Sequence, residues 1–149
     1  MKRYAPAIVA ILGGLLLVIP MRGGVAPVPP SPVEPVDPQP VTSFRAIFVK
    51  ESGSTLTAAQ TAIPGAKAIR DYLNANTTGD GNTTGWREYD MQQNVANEKP
   101  TMKALWLAVL PKIQTVPCIV IEVNSRATVL PYPLNADDAL ATLKKYGGK

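Results

Sequence analysis

The chain has no histidine and only one cysteine, Cys118. Without an imidazole no Ser/His or Cys/His catalytic pair can be built, and without several thiolates no Cys/His metal site can be either. A single thiol cannot close an intramolecular disulfide, so cysteine usage says nothing about redox compartment. Runs of charge are missing too. The net charge is +4, Lys2, Arg3 and Arg22 supply three of the basic groups, and the rest are scattered, with no run longer than Lys144-Lys145. No stripe follows a phosphate backbone, so nucleic acid is not an expected partner. No metal and no cofactor is expected. No heptad pattern runs for more than two turns, which disfavours a coiled-coil oligomer.

What is present begins with an apolar span. The 149 residues allow one domain plus appendages, and the appendages take the first forty or so. Tyr4 to Met21 (YAPAIVAILGGLLLVIPM) hold no charged side chain and follow Lys2 and Arg3. Eighteen residues at helical rise reach about 27 Å, enough for a hydrocarbon core. Residues 1–22 therefore read as a signal anchor, with membrane contact through residues 4–21. The densest apolar part, Ala7 to Ile19, also has the length of a cleavable signal peptide. The small-residue site Gly24-Val25-Ala26 precedes Pro27, a poor residue after a cut, and no cysteine follows to take a lipid. Both fates imply that the remainder is exported, anchored to the membrane or secreted, because the positive flank favours a cytoplasmic N-terminus.

Residues 23–41 form a proline-rich linker, with proline at 27, 29, 30, 32, 35, 38 and 40. Such a density forbids helix and ladder bonding and favours polyproline II, a stiff spacer of roughly 45 Å. Its PxxP spacings (Pro27 to Pro30, Pro32 to Pro35) also match SH3-type ligands but lack flanking arginines.

A folded domain over residues 42–149 is expected next. Phe44 to Lys50 reads as a buried strand. Thr57 with Gln60 fits a capping box opening a helix that carries Ile63, Ile69, Tyr72 and Leu73, and Pro64 should kink or restart it. The loop NANTTGDGNTTG is too poor in apolar groups to be other than exposed. As a calcium loop it would use Asn76, Thr78, Asp80 and Gly81, but Arg87 falls where a bidentate glutamate is required. Asn76 and Asn82 also lie in N-x-T sequons.

A short strand follows at Gly85 to Met91, and then a helix with Pro100 in its first turn and Met102, Leu105, Trp106, Val109 and Leu110 on one side. Trp106 reads as core, and Pro111 ends the helix. Cys118 to Val123 is a second buried strand, and Asn124-Ser125 turns into a partner strand at Ala127 to Leu130. Asn135 caps a last helix with Leu140, Leu143 and Tyr146 on one face and Gly147 at its C-cap. The order is βαβαββα, an α/β domain: a four-stranded mixed sheet flanked by helices on both faces. Its first two strands should be parallel with a right-handed crossover, and its last two a hairpin.

That order, with Thr115-Val116-Pro117 just before the third strand, resembles the thioredoxin-like fold and the TVP turn of the glutaredoxin and thioredoxin group. The chain is also similar to small exported thioredoxin-like proteins of bacteria and their phages, which share an ending like Leu143-Lys144-Lys145-Tyr146-Gly147-Gly148. The resemblance implies a cis peptide between Val116 and Pro117, facing a site. Where that family carries redox cysteines, this chain has Ser52-Gly53-Ser54-Thr55. Hydroxyls supply no thiolate to attack a disulfide, so dithiol chemistry is not expected. The resemblance leaves a non-catalytic binding or structural module of the cell envelope. A groove of Ser52, Gly53, Ser54, Thr55, Val116 and Pro117 would hold an extended segment of a protein or peptide partner. One alternative is a monothiol enzyme acting through Cys118, with Ser54 or Thr55 hydrogen-bonded to it. Another is a phage-type envelope or lysis protein.

Overall fold

The computed structural model describes residues 40 to 147. The expectations for the apolar span and for most of the linker lie outside the described residues.

The first strand, β1 (Phe44–Lys50), is apolar at nearly every position because it is buried on both sides. It lies second in a four-stranded sheet and pairs with both neighbours. β2 (Trp86–Asp90) runs parallel to it, with Ala46 opposite Trp86 and Lys50 opposite Asp90. β3 (Cys118–Val123) runs antiparallel on its other side, with Phe44 opposite Val123 and Val49 opposite Cys118. β4 (Arg126–Pro131) completes the sheet as an antiparallel hairpin with β3. The turn residues Asn124 and Ser125 both take positive φ, 49° and 65°, the paired left-handed geometry of a two-residue hairpin turn. The architecture is thus an α/β mixed sheet with helices on both faces, as the order of elements implied.

Side-chain alternation divides the core in two. Phe44, Ala46 and Phe48 of β1, with Ile119 and Ile121 of β3, face α2 (Lys67–Asn76) and α4 (Ala136–Gly147). Ile47 and Val49, with Cys118 and Val120, face α3 (Pro100–Val109). Both faces carry edge-on aromatic pairs, and the α2/α4 face has a second, Phe48 with Tyr132 at 6.1 Å. Phe44 meets Tyr72 edge-on at 6.2 Å, and Tyr89 meets Trp106 at 5.1 Å. Trp106 is core, as expected.

The capping box forms as the sequence implies, Thr57 accepting from the Gln60 amide and the Gln60 side chain accepting from Thr57 N–H. The helix it opens, α1 (Ala58–Thr61), lasts one turn, and α2 restarts at Lys67 beyond Pro64. Val109 ends α3, and Leu110–Lys112 continue for one 3₁₀ turn around Pro111.

One expectation is corrected. The loop between α2 and β2 is not simply exposed. Gly85 is buried, and a Cβ at Gly79 or Gly85 would overlap the backbone of Thr83 or Thr78. Thr78 N–H donates to the Phe44 carbonyl at 2.7 Å, and Phe44 N–H donates to the Thr78 hydroxyl. Thr78 thus supplies both hydrogen bonds to the first residue of β1, which holds the loop against the sheet. Gly147, expected to close the last helix, is the final residue of α4; it is also buried, and a side chain there would run into the Tyr72 hydroxyl and the Phe44 ring. Tyr72 donates to the Leu143 carbonyl at 3.2 Å, and that contact sets the close approach.

Candidate functional site

The parallel β1/β2 pair and the antiparallel β3 and β4 bring four chain ends to one edge of the sheet. Lys50 of β1, Asp90 of β2, Cys118 of β3 and Pro131 of β4 all lie there. Ser52 to Thr55 and Val116-Pro117 lie on connections at that edge, and Cys118 is the first residue of β3.

The segment Ser52 to Thr55 is a tight turn, with Gly53 at φ 101°, a value side-chain-bearing residues rarely adopt. Ser52 N–H and its hydroxyl both donate to Asp90 Oδ2 at 2.7 Å. Asp90 Oδ1 accepts from Gln92 N–H at 3.0 Å. The Gln92 amide and then the Ser52 hydroxyl hold the Asp90 carboxyl below the usual carboxylate range. The Ser54 hydroxyl donates to the Glu51 carbonyl at 2.8 Å. On the far side of the turn, Gln60 Nε2 donates to the Pro133 carbonyl, tying α1 to the connection between β4 and α4. Leu134 on that connection is 70% exposed.

Val116-Pro117 is a cis peptide, as the resemblance implied, and both residues are half-buried beside exposed Thr115. Among the described residues the backbone N–H and C=O of Val116 make no hydrogen bond. Cys118 follows directly but points to the α3 side, 1% exposed. Burial pushes its thiol up to about 11, so almost none of it is thiolate at neutral pH. The expected Ser54 or Thr55 hydroxyl partner is not found. Ser54 is spent on its own turn, and no hydrogen bond joins residues 52 to 55 to the thiol. Cys118 is instead one wall of a cavity of about 190 Å³ that Thr115 and Val129 also line.

The sheet therefore brings Ser52 to Thr55 and Val116-Pro117 to one edge without joining them, and turns the thiol toward α3. Sequence reasoning missed Asp90 and Gln60 as the groups that shape this edge. Asp90 gave no signal beyond closing an alternating strand, and Gln60 was read only as a cap.

The calcium reading of the preceding loop also finds a different use for its carboxylate. Asp80 Oδ2 accepts from both Thr101 N–H (3.0 Å) and its hydroxyl (2.7 Å), capping α3, whose own N-cap residue Lys99 makes no side-chain cap bond. The Thr101 hydroxyl, then its amide, lowers the Asp80 pKa. Asn76 Nδ2 donates to the Tyr72 carbonyl. Among the described residues no group of three or more acidic or thiol side chains could hold a metal, and no helix is long and apolar enough to cross a membrane. No family model, curated protein or solved structure matches the chain.

Proposed function

We propose that residues 42 to 149 are a thioredoxin-like module lacking redox cysteines. It would bind an extended segment of a partner protein on the exported side of a membrane to which the proline-rich linker tethers it. The element order, the parallel β1/β2 pair beside the β3–β4 hairpin and the cis bond at Val116-Pro117 support the thioredoxin-like reading. The unpaired backbone of Val116 carries the binding reading. A donor and an acceptor side by side, next to an ordered strand, take up an added strand through main-chain hydrogen bonds. The Ser52 to Thr55 turn and exposed Leu134 lie on connections that leave the same sheet edge and would contact the segment's side chains. Burial of Cys118 weighs against the monothiol alternative. No observation favours the lysis reading.

A random-peptide display selection against the full chain tests this, followed by hydrogen-exchange mapping of the selected peptide. Protection should appear at residues 114 to 116. Val116→Pro, which removes the N–H, should weaken binding roughly tenfold. Cys118→Ala should leave binding within about twofold, since truncating a core residue acts on stability rather than on the groove. Protection confined to other surfaces, or binding lost with the thiol, would overturn the proposal.

A further inference from the structure

α3 differs from the other long helices in what it shows to solvent. Its inward residues Met102, Leu105, Trp106 and Val109 fill the second half of the core. Its outward residues Ala104, Leu107 and Ala108 are exposed as well, and Pro111 extends them beyond the helix. Leu107 is 55% exposed. By contrast α2 turns Arg70, Asp71 and Asn74 to solvent, and α4 turns Asp137, Asp138, Lys144 and Lys145. A helix apolar on both sides ordinarily has something covering both.

The charge around this face points to its cover. Lys99, Lys103 and Lys112 border it, and no acidic residue occurs from Lys99 to Lys112. The carboxylates nearest in the fold are engaged elsewhere. Glu98 is paired with Arg87 at 3.1 Å, Glu122 with Arg45 at 3.1 Å, and Asp80 caps α3 through Thr101. Among the described residues none of the three lysines has an ion-pair partner. A small apolar strip rimmed by lysine, on a helix lying flat against its domain, has the composition of an interfacial membrane contact.

We propose that the outer face of α3 docks on an anionic lipid surface. Leu107, with Ala104 and Ala108, enters the boundary between headgroups and acyl chains, and the lysines lie over the phosphates. A second copy fits less well. Two-fold pairing of α3 sets the same lysines against one another, and a three-turn strip covers roughly 200 Å², far below the ~800 Å² per partner of a stable dimer. So small a strip holds weakly by itself. It becomes effective when another attachment raises the local concentration of the domain at the surface, as the apolar residues 4 to 21 would. The proposal is independent of the peptide-binding reading, because the face lies on the helix rather than at the sheet edge.

The test places an environment-sensitive fluorophore at Leu107→Cys in the full chain. The native thiol, 1% exposed, stays unlabelled in the folded protein. The probe is read before vesicles are added, then in phosphatidylcholine vesicles, then in vesicles that also contain phosphatidylglycerol. The expected result is a blue shift with phosphatidylglycerol alone, reversed by salt. Lys99→Glu with Lys112→Glu should weaken it by more than about tenfold, at roughly fivefold per charge near an anionic surface. Persistent protection of Cys118 from alkylation shows that this variant is folded. An equal shift in both vesicle types, no shift in either, or a shift before vesicles that grows with protein concentration overturns the proposal. The last outcome identifies a second copy as the cover.

Discussion

Cys118, Tyr72, Tyr89 and Tyr132 all ionise with difficulty, because burial removes the water that would stabilise their anions. Cys118 shows the consequence most directly. Its folded pKa is raised from 9.0 to about 11, so its contribution to stability is complete below about pH 9 and is lost as pH rises toward 11. Urea unfolding followed across that interval should show a falling midpoint, and Cys118→Ala should flatten part of the fall. Alkylation in native buffer should leave Cys118 untouched until denaturant is added. The pair Arg45–Glu122 is another residue whose worth depends on its partner. Glu122 is 8% exposed and lies directly across from Arg45 in the ladder. Glu122→Ala leaves the Arg45 charge buried and unmatched, and should cost about 3 kcal/mol in thermal or urea unfolding. Asp90→Ala releases Ser52 N–H from its carboxylate, and hydrogen exchange at that amide should accelerate while β2 itself stays protected.

At the scale of elements, the glycine that ends α4 is fixed by contact with another helix and with β1. Gly147→Ala should destabilise by about 1 to 3 kcal/mol, read by urea unfolding, because the new methyl must displace the Tyr72 hydroxyl or the Phe44 ring. Much of the element level was legible in the sequence. The apolar runs of β1 and β3, the Thr57 and Asn135 caps, the Asn124-Ser125 turn and the Pro64 restart each depend on residues within a few positions of one another. What escaped depends on pairings that the tertiary fold creates. Asp80 caps a helix that starts twenty residues later, Ser52 is held from the end of β2, and Gly147 answers to a tyrosine on α2. None of these leaves a periodicity, since the partners meet only after the sheet has formed. The site residues illustrate the same boundary. Their types marked a turn and a proline, but the direction of the Cys118 side chain followed from strand register, which one residue of slip would reverse.

The described domain has two half-cores sharing one sheet, and β1 and β3 belong to both. Truncation on either side should therefore be felt globally. Trp106→Ala and Leu143→Ala lie on opposite faces and should cost about 3 to 5 and 2 to 5 kcal/mol respectively, each in a single cooperative transition seen alike by near-ultraviolet and far-ultraviolet circular dichroism. One joint bears on how the domain hangs from what precedes it. Asn124 Oδ1 accepts from Thr42 N–H, the Thr42 hydroxyl and Ser43 N–H, and its Nδ2 donates to the Pro40 carbonyl. Asn124→Gly keeps the turn geometry and removes all four bonds, so exchange at Thr42 and Ser43 should rise with little change in the β3–β4 ladder. The strand that follows this joint runs between two neighbours, and its ladder bonds lie across its length. Tension applied through residue 40 is therefore shared between the Asn124 clasp and both ladders of β1, which must shear together instead of unzipping one bond after another. A pull entering at residue 40 would meet the ladders on both sides of β1 at once.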